Sequence, residues 1–496
     1  MKTTRIAAFL LAALTLVPAV MTSCGGDDQT GTETNNADTA SAAVTEAQTD
    51  PADPLAARLL VDDGVETVDY DGAPFRIVTS DGQTEYYFIE AETGEVVDDA
   101  IFRRNSRIEE RFNIDLQITF DKEYWDTSKH ITSLVSAGDD AIELAAMHAV
   151  ECGLLGLQNY FYNWYDIPHI NFDQPWWSQS SKEDLSYNGV APVAIGDFVL
   201  SAMASTYCTF FNKTLAENYD LPDIYQVVRD GKWTIDYLVK TTKDIYNDVN
   251  GNAQVDSEDF FGFASDTRSN VGAYLWAFDN PIFTRQDDKL VYSYKTEKMN
   301  NIVAKLVDTF SNYQGISTDF GASWNYGRDV FAASRAIFAH AMLKHSLTAL
   351  ADMKDDFGFL PYPKWDEAQA EYHTLVDGSH QALAVPTTVV NTDMVGAVTE
   401  VLNAESWKTV IPAYYDVALK VKATRDVESV EMIEMVVDSR KFDFGYIYDG
   451  WEGPSFLLSD FVAQKNTDFE STYAAKEKAI VKHYESVVEF FENYEG

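Results

Sequence analysis

One run of the chain, Thr206-Tyr-Cys-Thr-Phe-Phe211, restricts its possible folds more than any other. The run is apolar, β-branched and aromatic, and it is too short to hold as a helix. It reads as a buried strand. Asn212 closes it and caps a short helix over 213–218. Leu221-Pro222 stops that helix. Gly231-Lys232-Trp233-Thr234 opens a second one that runs from Ile235 to Asn247. Thr234 is its N-cap, and Asp236 sits in the first turn, where the helix dipole favours a carboxylate. At 496 residues, with 46% hydrophobic and 13% aromatic residues, the chain can surround such a strand with a large core spread over two or more domains.

The chain before this run alternates. Phe75–Val78 reads as a strand, Ala100–Phe112 as a helix and Ile114–Phe120 as a strand. Ile131–Ser136 follows as a helix and Ile142–Met147 as a strand. A β-α-β-α-β order predicts a mainly parallel α/β sheet. Ligands of open α/β sheets sit beyond the C-terminal ends of the strands, which points to Asp81 and His148. Near the C-terminus, Phe444–Tyr448 reads as one more strand, with Trp451 just after it.

Five stretches together carry a family likeness: TYCTFFNKTLAENYDLPDIYQVVRDGKW (206–233), RRNSRIEERFNIDL (103–116), SAGDDAIELAAM (136–147), DFGFLPYPKWDEAQAEYHT (356–374) and TRDVESVEMIEMV (424–436). Their order and spacing resemble the extracellular solute-binding lipoproteins of ABC importers, in the family that binds sugars. The resemblance implies an α/β, two-lobed fold of the periplasmic-binding-protein type II kind. Each lobe is a central sheet flanked by helices, and crossing strands form a hinge. It places lobe 1 at 70–194 plus 381–422, and lobe 2 at 195–380 plus 423–496. By chain position it implies a ligand cleft lined by Asp81, His148, Asp197, Trp276 and Trp451. The carboxylates would accept hydrogen bonds from ligand hydroxyls, and the indoles would stack on sugar rings. It also implies a carbohydrate ligand, an oligosaccharide, and the permease subunits of an ABC transporter as partners of a monomer.

The N-terminus speaks for export. Lys2 and Arg5 precede an apolar stretch, Ile6–Val20, too short for a membrane span. Met21-Thr22-Ser23-Cys24 then resembles a lipobox, with Met21 in place of the usual Leu. Residues 1–23 would be a lipoprotein signal peptide and Cys24 the lipidated residue, anchoring the chain to the outer face of the cytoplasmic membrane. Residues 24–69 would form a flexible stalk, since Gly25 to about Pro54 carries almost no large apolar side chain. The formal charge of −42 excludes nucleic acid and electrostatic docking on anionic lipid as partners. Cys152 and Cys208 can form one disulfide or remain two buried thiols.

A calcium ion is the one cofactor the spacing suggests. Asp248, Asn250, Asn252, Gln254, Asp256 and Asp259 set oxygen side chains at the intervals of an EF-hand loop, with Ala253 where Gly is usual. The ion would be structural; a solvated acidic turn uses the same residues. Nucleophile elbows, zinc-protease motifs and phosphate loops are missing from the sequence, so the chain reads as a non-enzyme. The alternatives are an exported, lipid-anchored glycoside hydrolase and a glycan-capturing surface sensor without a transporter.

Overall fold

The computed structural model describes residues 54–319, 324–424, 426–451 and 453–494. The expected signal peptide, Cys24 and the tail to residue 53 lie outside the described residues. The first sheet starts with β1 (Ala73–Ser80), β2 (Ile114–Asp121) and β3 (Leu144–His148). β1 pairs in parallel with β2 from Ala73↔Ile114 to Ser80↔Asp121, and with β3 at Ile77↔Leu144. The connecting helices are Val96–Phe112 and Tyr124–Ala137. Both begin earlier than the apolar pattern suggests. Asp98 and Asp99 occupy the first turn of one and Asp126 that of the other, where the dipole rather than burial sets the residue type.

The second sheet contains β4 (Tyr207–Asn212), β5 (Tyr246–Asn247) and β6 (Phe260–Asp266). A separate hairpin, β7 (Phe283–Gln286) and β8 (Lys289–Tyr292), follows. The second sheet is then completed by β9 (Ile316–Asp319), β10 (Ala336–Met342) and β11 (Phe357–Leu360). Its order is β11-β4-β10-β6-β5, with β9 also on β6. β4 is buried along its whole length, between β10 and β11, as the 206–211 run demands. Asn212 and Thr234 cap the helices after it, accepting from the N–H groups of Leu215 and Tyr237. The second helix, however, ends at Thr242, and Tyr246–Asn247 joins the sheet. The Thr242 carbonyl lies so close to Gly262 and Gly315 that a Cβ on either would clash with it. Continuing the helix would lift this end off the sheet.

The chain passes from the first sheet to the second between β3 and β4, and returns after β11. The outgoing and returning passages lie side by side. Thr206 bridges Val376, and the Asp377 N–H donates to the Ser205 carbonyl at 3.0 Å. On the way back, β12 (Thr374–Leu375) precedes β13 (Gln381–Ala384), which adds antiparallel to β3. The last strand, β14 (Arg440–Lys441), pairs with β12. Three backbone passages therefore run together between the two sheets, which is the arrangement of a hinge.

Several expectations change. Residues 60–69 do not behave as a free stalk: Val65 is buried, and Asp63 accepts from Arg111 at 2.6 and 2.9 Å. Phe444–Ile447 is a helical turn, not a strand. Asp443 caps it through the Tyr446 N–H at 2.9 Å, and Gly445 is pressed against Ile282, so a local cap and a tertiary contact override the β-prone residues. Cys152 and Cys208 are both free and buried, and burial pushes both thiols well up from the ordinary value. No helix among the described residues is long and apolar enough to cross a membrane.

One long helix, Thr392–Glu405, has every residue from Met394 to Ala404 buried. Trp176 and Trp177 both point their indole N–H at Glu400 of this helix. They lie in a turn, where consecutive side chains can converge. On the same helix a Cβ at Gly396 would stand 1.9 Å from the Pro168 carbonyl oxygen. Gly396→Ala should therefore cost about 1–3 kcal/mol or more. Urea unfolding checks this; an unchanged midpoint would mean that the 165–168 segment simply yields.

Candidate functional site

The strand ends of both sheets meet at one cavity of about 470 Å³, the volume of a small-molecule site. His148, at the C-terminal end of β3, comes from the first sheet. Asp266 ends β6 and Met342 ends β10, while Tyr207 starts the antiparallel β4 opposite Met342. Asp377 and Ser379, on the returning passage, close the floor, and the C-terminal segment adds Tyr446, Trp451 and Phe456.

One wall is aromatic. The ring of Tyr124 lies 4.6 Å from that of His148, and His148 lies 5.2 Å from Trp451. Trp451 stacks on Phe456 at 5.5 Å and 24°. Its backbone is in the left-handed region at φ 69, directly after Gly450 at φ 76. That conformation is unfavourable for a bulky residue and persists where surrounding contacts enforce it. One such contact is the indole N–H, which donates to Glu151 Oε1 at 2.6 Å. Glu151 is itself fixed by the Ser128 hydroxyl at 2.6 Å.

The facing wall is polar and closely bonded. Asp266 accepts from the Asn270 N–H at 3.3 Å and from its side-chain amide. Burial pushes the Asp266 carboxyl up to about 7. Tyr362 donates to Asn270 Oδ1 at 3.1 Å. His340 is hydrogen-bonded at both ring nitrogens, to Thr209 at 3.0 Å and Tyr274 at 2.7 Å, and stacks on Tyr362. Burial holds it well below the usual imidazole value. Tyr207 donates to Asp377 at 2.8 Å. His148 is neutral, its pKa pulled down to about 3 by burial against the opposing pull of Asp377. Its Nδ1 is buried with no hydrogen-bond partner among the described residues. Planar apolar faces on one side and oriented donors and acceptors on the other suit a polyhydroxylated ring.

Of the five residues expected to line a cleft, the cavity brings together two, His148 and Trp451. Trp276 stands one layer behind, its ring 5.0 Å from Tyr446, and borders a separate depression with Asp443 and Arg285. Asp197 borders another depression with Arg440, and burial pushes it up to about 7. Asp81 is exposed in the turn after β1, its carbonyl accepting from Thr84 at 2.8 Å. A Thr-Ser-Asp-Gly sequence favours that local role. Trp164, Trp176 and Trp177 are core, and Trp324 is exposed at the cavity rim. Tyr124, Asp266, Asn270, Asp377 and Tyr446 escaped the sequence reading. The strand-end rule would have found Asp266, which closes the strand begun at Phe260.

The 248–259 loop was tested for the fit of a calcium ion. Ala253 adopts φ 59, the left-handed conformation that Gly usually supplies at this position. Asp248 accepts from the Gly251 and Ala253 N–H groups, and Asn250 and Asn252 both reach Asp256. The loop thus curls as such loops do. Among the described residues no three His, Cys, Asp or Glu side chains gather as a metal group. Three of the six expected ligands, Asn250, Asn252 and Gln254, are amides, so the oxygen set would be mixed and modest in charge.

No protein-family model matches the chain, and no curated protein matches it. Solved structures do. A solute-binding protein of an ABC transporter from Thermotoga lettingae, bound with α-D-tagatose, superposes with a TM-score of 0.54 at 13% identity. The match covers 84% of this chain and 100% of that one. An ABC substrate-binding protein from Listeria monocytogenes in complex with cycloalternan gives 0.55 at 12%, with the same coverage. The maltose/maltodextrin-binding domain from Bdellovibrio bacteriovorus bound to maltotriose gives 0.53 at 11%, over 84% of this chain and 100% of that one. The chain has the α/β, two-lobed fold of ABC-transporter solute-binding proteins.

Proposed function

We propose that this chain is the solute-binding component of an ABC importer, capturing a carbohydrate between its two lobes and delivering it to permease subunits. The observation that carries this reading is the cavity at the converging strand ends, with an aromatic wall around Trp451 and a hydrogen-bonding wall around Asp266 and Asn270. The sugars named in the matched structures support it. Binding would bridge the lobes and shift the hinge between open and closed forms. Anchoring through Cys24, action as a monomer at the cell surface and the lack of an enzymatic role belong to the same proposal. A screen of melting temperature against mono- and oligosaccharides tests it, because a ligand of the native state must raise the melt. A sugar that raises it and is recovered unchanged supports a binding protein. A sugar turned into products favours the hydrolase, and a panel without a shift removes carbohydrate from the reading.

Calcium in the 248–259 loop is part of the proposal as a structural ion. EDTA should lower the melting temperature and added calcium restore it. A melt indifferent to both reduces the loop to an acidic turn.

A further inference from the structure

The charge lining the cavity runs against that of the chain. The protein carries 37 Lys and Arg against 79 Asp and Glu. Among the described lining residues the balance reverses: Arg268, Arg328 and Lys344 stand with Asp266 and Asp377. Both carboxylates are occupied. Asp266 holds Asn270, and Asp377 receives the Tyr207 hydroxyl and the Ser379 N–H. The histidines add no positive charge near neutrality, since burial pulls both His148 and His345 down to about 3.

Among the described residues the three cations are poorly matched. Lys344 follows β10, and no ion pair joins it to any described residue. Burial lowers its pKa, with Asp377 and Glu85 opposing and Arg328 assisting. A half-buried ammonium without a close counter-ion is costly unless something else supplies the negative charge. No ion pair joins Arg268 to a carboxylate among the described residues either; its guanidinium lies 5.0 Å over the Trp324 ring. Among the described residues Arg328 pairs only with its sequence neighbour Asp329, at 2.7 Å. The cations come from three separate segments that converge on one cavity.

Resting on the carbohydrate reading above, we infer that the ligand is an acidic saccharide, whose uronate carboxylate or sulfate ester is received by Lys344 with Arg268 and Arg328 while a ring packs on Trp451. The anion would supply the missing counter-charge, and charge-assisted hydrogen bonds from Lys and Arg would select it over a neutral sugar.

The test titrates the purified protein with two sets of oligosaccharides of matched length. The neutral set is maltotriose, xylotriose and galactotriose. The acidic set is trigalacturonate, a xylobiose bearing one glucuronate and a sulfate ester of maltotriose, which separates carboxylate from sulfate. At least one acidic probe should bind roughly tenfold or more tightly than every neutral one. Lys344→Met should weaken that binding by about tenfold or more, Arg268→Gln should also weaken it, and added salt should do the same. Melting of the unliganded variants confirms that they are folded. Binding confined to neutral sugars overturns the inference and leaves the carbohydrate reading standing. Binding of non-saccharide anions such as citrate or glycerol phosphate, with no saccharide bound, overturns both. An acidic sugar held equally well by Lys344→Met overturns the assigned contact.

Discussion

Trp451→Ala should weaken carbohydrate binding by roughly thirtyfold or more while leaving the unliganded protein folded. A buried aromatic anchor at the centre of a site commonly carries about 2 kcal/mol or more of binding energy. Trp451 has the placement of such an anchor: one face on Phe456, one edge toward His148, and the indole N–H fixed on Glu151. The strained backbone at φ 69 holds the ring in place before any ligand arrives, so its ordering cost is met on folding. Trp451→Phe keeps a flat face and loses the hydrogen bond, and should fall between the two. Calorimetric titration separates these cases, and equal affinities for all three would remove Trp451 from the site.

Glu400→Ala should produce the largest loss of stability, about 3–5 kcal/mol, with little direct effect on the cavity. The carboxyl receives both indole N–H groups, at 2.8 Å each, and the Asn171 N–H at 3.2 Å. Its removal orphans the two buried indole donors and the part-buried Asn171 N–H, and opens a void. Burial pushes Glu400 up to about 7 from an ordinary 4.5, partly offset by the indole hydrogen bonds. A carboxyl raised on folding binds its proton more tightly in the native state. Its contribution is therefore full below pH 4.5 and lost as pH rises through 7, a change on the order of 3 kcal/mol. Asp197, Asp266 and Asp449 are also pushed up to about 7 by burial. His148, His345 and His380 act in the opposite sense. Held at about 3 to 4 by burial, they stabilise above pH 6.5 and lose that contribution as pH falls below it. Between pH 4.5 and 6.5 the two sets oppose one another, and above 6.5 the carboxyls act alone. Stability should therefore decline from pH 6.5 to 8, and the gap between the parent and Glu400→Ala should narrow over the same range. Urea unfolding at several pH values reads both effects, and a gap that widens toward pH 8 would contradict them.

The site was only half legible in the sequence. His148 could be found because the strand-end rule is topological and His148 ends a strand. Trp451 was reached by chain position, even though the element before it is a helical turn and not a strand. Asp81 and Asp197 were chosen by the same positional logic and stand elsewhere, because Asp in a turn has local work that pattern alone does not distinguish from ligand work. Trp276 misses the cavity by the thickness of one ring. The cations Arg268, Arg328 and Lys344 come from distant segments and carry no motif that links them.

The two lobes were legible only through the family resemblance; the buried central strand, the caps at Asn212 and Thr234 and the parallel β-α-β-α-β order of the first sheet could be read from the residues themselves. These follow from local periodicity, capping chemistry and short connections, all of which act between near neighbours. Tertiary structure alone decided where the helix after Thr234 stops, that Trp176 and Trp177 share one carboxyl, and which polar groups face the cavity. Each depends on backbone or side chains brought together from far along the chain: Gly262 and Gly315 against Thr242, Glu400 against the Trp pair, and the ends of β3, β6 and β10 against one another.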